Sequence, residues 1–216
     1  MPQLSIDLLV STFKLEHICS IDHDSLLPIC GNDAYTPIGT NTLCTSAEVY
    51  GNESFCVLQM RSPPARGLHG VWAAALTEWL CAMGVGSVCL LLSASKGKVI
   101  GRDLFVPRFS ANASLAKGRV PAGWEPLGEE LHAFAVRKGT VSAALERECE
   151  ARGVPMAVAA IFCGEGDNVE DAARMAMWAD EFVTGRHRKE FKLSFPPSWN
   201  ASTFWGGFIV DQAEMF

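Results

Sequence analysis

Residues 156–163, Met-Ala-Val-Ala-Ala-Ile-Phe-Cys, form an unbroken apolar run of strand length. It offers water no polar face, so it reads as a central strand covered on both sides. Gly164-Glu165-Gly166-Asp167-Asn168 then stops it. Asp167 followed three residues later by Glu170 has the form of a capping box, in which each side chain takes a backbone N–H left unpaired by the first helical turn. A helix is therefore expected from near Asn168. Val169, Ala172, Ala176, Ala179 and Val183 step along it by threes and fours, and Met175, Trp178 and Phe182 widen the stripe toward a core. The unit is strand, tight turn, helix.

The turn admits two readings. An acidic Gly-rich turn at the carboxyl end of a parallel strand is where open α/β sheets place ligands, and Glu165 or Asp167 would there hold a ribose hydroxyl or a metal. The simpler reading is that the glycines permit the bend and Asp167 caps the helix, since one turn without a second ligand cluster is a weak signal.

At 216 residues the chain suits one full-sized domain without internal repeats. Charged residues make up only 19% against 49% hydrophobic, so part of the apolar surface is expected to belong to a partner. A net charge of −6 argues against a nucleic-acid surface or a polybasic membrane anchor. The basic cluster Arg186-His187-Arg188-Lys189 reads as a solvated loop. No apolar stretch reaches the roughly 20 residues of a membrane span. The eight cysteines include no Cys-x-x-Cys, and Cys56, Cys89 and Cys163 lie in apolar strand-like runs. They read as small buried hydrophobes in a reducing, cytosolic compartment, and neither metal nor cofactor is expected.

The chain opens on a mostly apolar helix over 4–13. Strands are expected over 15–21 and 26–30, with Asp22-His23-Asp24 a polar turn between them, because three consecutive residues cannot all face one ion. Gly51-Asn52 signals a two-residue hairpin between arms 43–50 and 54–61. A helix is expected over 68–83 on the stripe Leu68, Trp72, Ala75, Trp79 and Met83, with His69 exposed, and a buried strand over 88–92 follows. Glycines and prolines punctuate 93–128, which reads as surface loops, with a short strand over 131–136. A helix from Thr140 to about 151 returns the chain to the central strand. The order strand, helix, strand predicts an α/β sheet. The stretch Phe204-Trp205-Gly206-Gly207-Phe208-Ile209-Val210 is apolar without a helical pattern, and Glu214-Met215-Phe216 forms the tail.

Several stretches, in this order and spacing, resemble the proteasome assembly chaperone 2 family: Asp7-Leu8-Leu9-Val10-Ser11-Thr12, Ala47-Glu48-Val49-Tyr50, Leu58-Gln59-Met60-Arg61-Ser62, Glu165-Gly166-Asp167-Asn168 with Asp171-Ala172, and Pro196-Pro197-Ser198-Trp199. The resemblance implies one three-layer α/β domain across 1–216, with a mixed, mostly parallel sheet related to nucleoside phosphorylases. It implies a non-catalytic chaperone, cytoplasmic and nuclear, that pairs with a homologous chaperone 1. The heterodimer holds the proteasome α-ring during assembly and blocks premature ring pairing. The competing reading from the residues is a phosphorylase-like or hydrolase-like enzyme using the turn at 165–168. Two departures carry consequences. The family opens with a strand and a Gly-containing loop ahead of its first helix, whereas this chain opens at that helix, so the expectation is either that the start lies upstream or that this form lacks its first strand, with another segment such as 204–210 on the vacated edge. The family's tail inserts a hydrophobic-Tyr-X end into a pocket between α subunits; here Glu214 and Met215 stand before Phe216, and these three residues are the expected contact with the α-ring.

Overall fold

The computed structural model describes residues 1–37, 40–95, 97, 106–116, 120–121, 123–164, 166, 168–185 and 192–199. The apolar run forms β9 (Met156–Cys163), whose first seven residues are buried. Its alternate side chains reach opposite layers, as strand geometry requires. Met156 and Val158 enter one cluster with α2 (His69–Ala82) and α4 (Val141–Arg152), while Ala157, Ala159 and Ile161 enter another with α5 (Val169–Thr184). The opening helix α1 (Pro2–Phe13) lies beside α5 on that second side, where Leu8, Leu9, Ala172 and Ala176 close the contact. The result is a mixed α/β domain with its sheets between two helical layers.

The strands do not form one mostly parallel sheet. β1 (Glu16–Ser20), β4 (Ala47–Gly51) and β5 (Cys56–Met60) form an antiparallel sheet in the order β1-β4-β5. β2 (Gly31–Asn32) and β3 (Leu43–Cys44) form a short antiparallel ladder. β6 (Val88–Ser95), β7 (Arg108–Ala111) and β8 (Glu125–Pro126) join β9 in the order β6-β9-β7-β8. Here β6 runs parallel to β9 over eight paired residues, and β7 runs antiparallel to it.

Local chemistry explains where expectation and structure part. The β4–β5 connection spans Asn52 to Phe55 rather than two residues, because the Asn52 carboxamide accepts the N–H groups of Ser54 and Phe55 and folds the turn on itself. Residues 26–30 form no strand. Leu26 makes one bridge to Pro64, and the Leu27 carbonyl is taken by the hydroxyls of Ser46 and Ser62. The stretch expected as a strand over 131–136 lies in the helix α3 (Glu129–Ala135), whose first-turn glutamates suit the positive helix start. Within 93–128, β7 and β8 join the main sheet, and Trp124 is buried against Trp178 and Phe182 rather than lying in a surface loop. On α2 the buried face is Trp72, Ala73, Leu76 and Thr77. Leu68 and Met83, placed on the inner stripe by spacing, are exposed, and His69 is half-buried. The α4 expectation holds: the Thr140 hydroxyl accepts the Ala143 N–H, and Gly153 closes the helix at φ 68°. The basic cluster 186–189 lies outside the described residues.

Candidate functional site

The acidic turn is built differently from its expected form. The N-cap of α5 is Asn168, not Asp167, and it makes no side-chain cap bond; its amide donates instead to the Gly166 carbonyl at 3.1 Å. With Asn168 as cap, the third helical residue is Asp171, and its carboxylate binds Arg174 at 2.7 Å rather than reaching back to the cap. The half-buried Arg174 also approaches the exposed Glu170 at 3.6 Å. Gly166 sits at φ 121°, a conformation that side-chain-bearing residues avoid. Glu165 and Asp167 lie outside the described residues. Trp199 ends a 3-10 turn (Pro197–Trp199) and packs on Phe195, with ring centroids 5.8 Å apart, over the α1–α5 cluster. The tail residues Glu214, Met215 and Phe216 also lie outside the described set.

The densest polar chemistry lies elsewhere, under α1. Asp7 Oδ1 accepts from Tyr35 Oη at 2.6 Å, from Gln59 Nε2 at 2.7 Å and from Arg61 at 3.2 Å. The Arg61 guanidinium also lies over the Tyr35 ring, 5.6 Å from its centroid. Next to it, Tyr50 donates to the buried Glu48 carboxylate at 2.8 Å, and Glu48 accepts the Thr45 N–H. Burial, reinforced by Asp7, pushes the Tyr35 phenol far above its usual range; burial and then Glu48 do the same for Tyr50. Both phenols are therefore fixed hydrogen donors rather than bases. The cluster ties the opening helix, residue 35 and two strands into one unit, which is a structural task. Sequence reasoning missed it. Its one legible signal is Asp7 interrupting an apolar helix, because the partners lie 28, 52 and 54 positions away.

Among the described residues no group of three or more His, Cys, Asp or Glu side chains is placed to hold a metal, and no helix is long and apolar enough to cross a membrane. His23 Nδ1 is engaged by the Ser25 hydroxyl and N–H within its turn. All eight cysteines are free. Cys44 and Cys149 are buried, whereas Cys56, expected inside, is exposed beside the β4–β5 turn. Burial pushes the Cys89 thiol up to about 12.

Large apolar side chains are left in solvent both before β4 and along α2, where Leu68, Val71 and Met83 are exposed. Ile18 on the edge strand β1 is 58% exposed and Leu43 on β3 is 59% exposed, with Leu27 and Ile29 on the segment between them also exposed.

Residues 1–181 match the PAC2 family. The chain belongs to that family. This PAC2-family chain is 29% identical over 220 residues to proteasome assembly chaperone 2 of Danio rerio, across 91% of this chain and 84% of that one. It is 26% identical to the human protein of the same name, across 84% of this chain and 76% of that one. Among solved structures, a protein of unknown function from Thermoplasma acidophilum superposes with a TM-score of 0.66 at 13% identity, covering 87% of this chain and 72% of that one. A proteasome-assembly chaperone homologue from Mycobacterium tuberculosis gives 0.51 at 15% identity, covering 87% and 79%. These two likenesses concern the fold.

Proposed function

We propose that this PAC2-family chain is a non-catalytic proteasome assembly chaperone. It pairs with a homologous chaperone 1 in cytoplasm and nucleus, and the pair promotes α-ring assembly while blocking off-pathway ring association. The observation that carries this reading is the family match over 1–181, together with relatives named for that role along 84–91% of the chain. The surface supports it: Ile18, Leu27, Ile29 and Leu43 offer apolar area and an open strand edge, which suit a protein partner better than a small substrate. No observation favours the phosphorylase-like alternative. Asp171 is committed to Arg174, and Asn168 to the backbone of its own turn.

Co-expression with a chaperone 1 homologue and proteasome α subunits tests the proposal. The expected result is a purified complex holding both chaperones and α subunits. Leu43→Asp and Ile18→Asp should weaken capture of chaperone 1 while leaving the fold intact. Recovery of this chain alone under all conditions would overturn the reading.

A further inference from the structure

A helix on the surface of a domain ordinarily turns charged residues toward water. α4 carries Glu146, Arg147, Glu148, Glu150 and Arg152 among its twelve residues. The neighbouring α2 packs on the same core through Trp72, Ala73 and Leu76, yet its outer face is almost free of charge. Leu68, Val71, Ala75, Glu78 and Ala82 follow one another there at steps of three and four. Val71 is 53% exposed, and Leu68 and Met83 at the two ends of the helix are exposed as well. Glu78 is the one Asp, Glu, Lys or Arg of α2. It is exposed and has no hydrogen bond or ion pair among the described residues.

The complementary charge lies on α4. The Arg147 side chain is 68% exposed and reaches back across α2, where a Cβ placed on Gly70 would stand 3.7 Å from its Nη2. Its neighbour Glu148, at 3.3 Å, also faces Arg152 at 3.9 Å, so most of the Arg147 N–H groups are left without a carboxylate. Glu78 stands about two helical turns from Gly70. A second copy of α2 laid antiparallel on the first, with a twofold axis between Ala74 and Ala75, brings position 78 of each helix opposite position 71 of the other. That position adjoins Gly70 and the Arg147 guanidinium resting on it. At about 100° per residue, Gly70 and Glu78 fall on the same side of Val71, and the twofold axis preserves that side. A parallel pairing would instead set Glu78 against Glu78, which repels. Ala74 and Ala75 at the crossing point let the two backbones approach closely.

We propose that α2 is a self-association surface, on which two copies of this chain pair through antiparallel α2 helices. Leu68, Val71, Ala75 and Ala82 form the seam, and Glu78 of each copy pairs with Arg147 of the other. The 14 residues of α2 extend about 21 Å, a contact at the small end of specific interfaces. The dimer is therefore weak and reversible, with a Kd on the order of 10 µM. The inference does not rest on the chaperone reading, and it uses none of the residues assigned there to chaperone 1.

Sedimentation equilibrium on the full chain, from about 1 to 200 µM, tests it. The mean mass should rise from monomer toward dimer across that range. Glu78→Arg and Arg147→Glu should each weaken self-association roughly tenfold or more, because each turns both attractive pairs of the dimer into like-charge pairs. An equimolar mixture of the two variants should recover the association of the unmodified chain to within a few fold, since both pairs in the mixed dimer are again Arg against Glu. Val71→Asp should also remove the dimer. All three positions are exposed, so thermal unfolding at low concentration should be unchanged and should show the variants folded. A monomer across the whole range would overturn the inference and assign the face to another occupant. A dimer indifferent to the charge reversals, or a mixture that associates no better than either variant alone, would overturn it too.

Discussion

Replacing Asp7 by alanine tests the account of how α1 is held. The Asp7 side chain is 6% exposed and its Oδ1 serves three donors, one of them the Arg61 guanidinium, itself only 18% exposed. Alanine removes the acceptor and leaves that cation unable to rehydrate fully. Loss of one member of a buried pair costs about 3–5 kcal/mol. Part of the remaining loss is cushioned, because Gln59 Nε2 keeps the Gln3 carbonyl and Tyr35 keeps its contact with Arg61. The expected cost therefore stays in that range, a fall in Tm of roughly 6–20 °C for a chain of this size. Asp7→Asn preserves an oxygen for Tyr35 and Gln59 but removes the charge, and should cost about 1.5–3 kcal/mol. Urea unfolding followed by tryptophan fluorescence gives these values. A double-mutant cycle with Arg61→Ala should show coupling above about 1 kcal/mol. A cost below about 1 kcal/mol for Asp7→Ala would refute the reasoning, because it would mean that the cluster is rehydrated or bypassed.

Three further outcomes follow from burial. The chain has two tyrosines, and both phenols are held well above the ordinary value of 10.0, so the folded protein should show no tyrosinate absorbance until alkali unfolds it. The unfolded chain ionises near 10, so this contribution to stability is complete below that pH and is lost as pH rises through it; a smooth phenolic titration near pH 10 with the fold intact would contradict this. Thiol labelling at neutral pH should modify the exposed Cys30 and Cys81 first, with Cys89 and the buried Cys149 reacting only on unfolding, and early labelling of Cys89 would show its strand to be open. Ala176→Leu, at a fully buried position where α5 meets α1, should cost about 1–3 kcal/mol in thermal unfolding, and no loss there would mean that the helices are loosely packed.

The parts of the fold that sequence revealed are those whose signal is local. An eight-residue apolar run has one comfortable environment, and the α5 stripe and the Thr140 cap of α4 are read within a turn or two of helix. The misses have long-range causes. Arg108-Phe109-Ser110-Ala111 carries no hydrophobic period; it becomes β7 because β9 offers it an edge. Residues 26–30 look like a strand, yet two serine hydroxyls from elsewhere take the carbonyl that a ladder would use. The N-cap of α5 is Asn168, a short polar residue that suits a helix start as Asp167 does, so local sequence alone does not choose between the two. The Asp7 cluster was invisible because its members meet only after α1 lies on β5.

The central claim, that this PAC2-family chain serves proteasome assembly, is tested most directly by replacement in cells depleted of their own chaperone 2. The quantity to measure is the ratio of free α-ring intermediates to mature core particles on native gels. The account predicts that this chain restores the ratio to that of undepleted cells and that Leu43→Asp does not. An unchanged accumulation of misassembled α-ring species, with the chain folded and present at normal levels alongside chaperone 1, would contradict it.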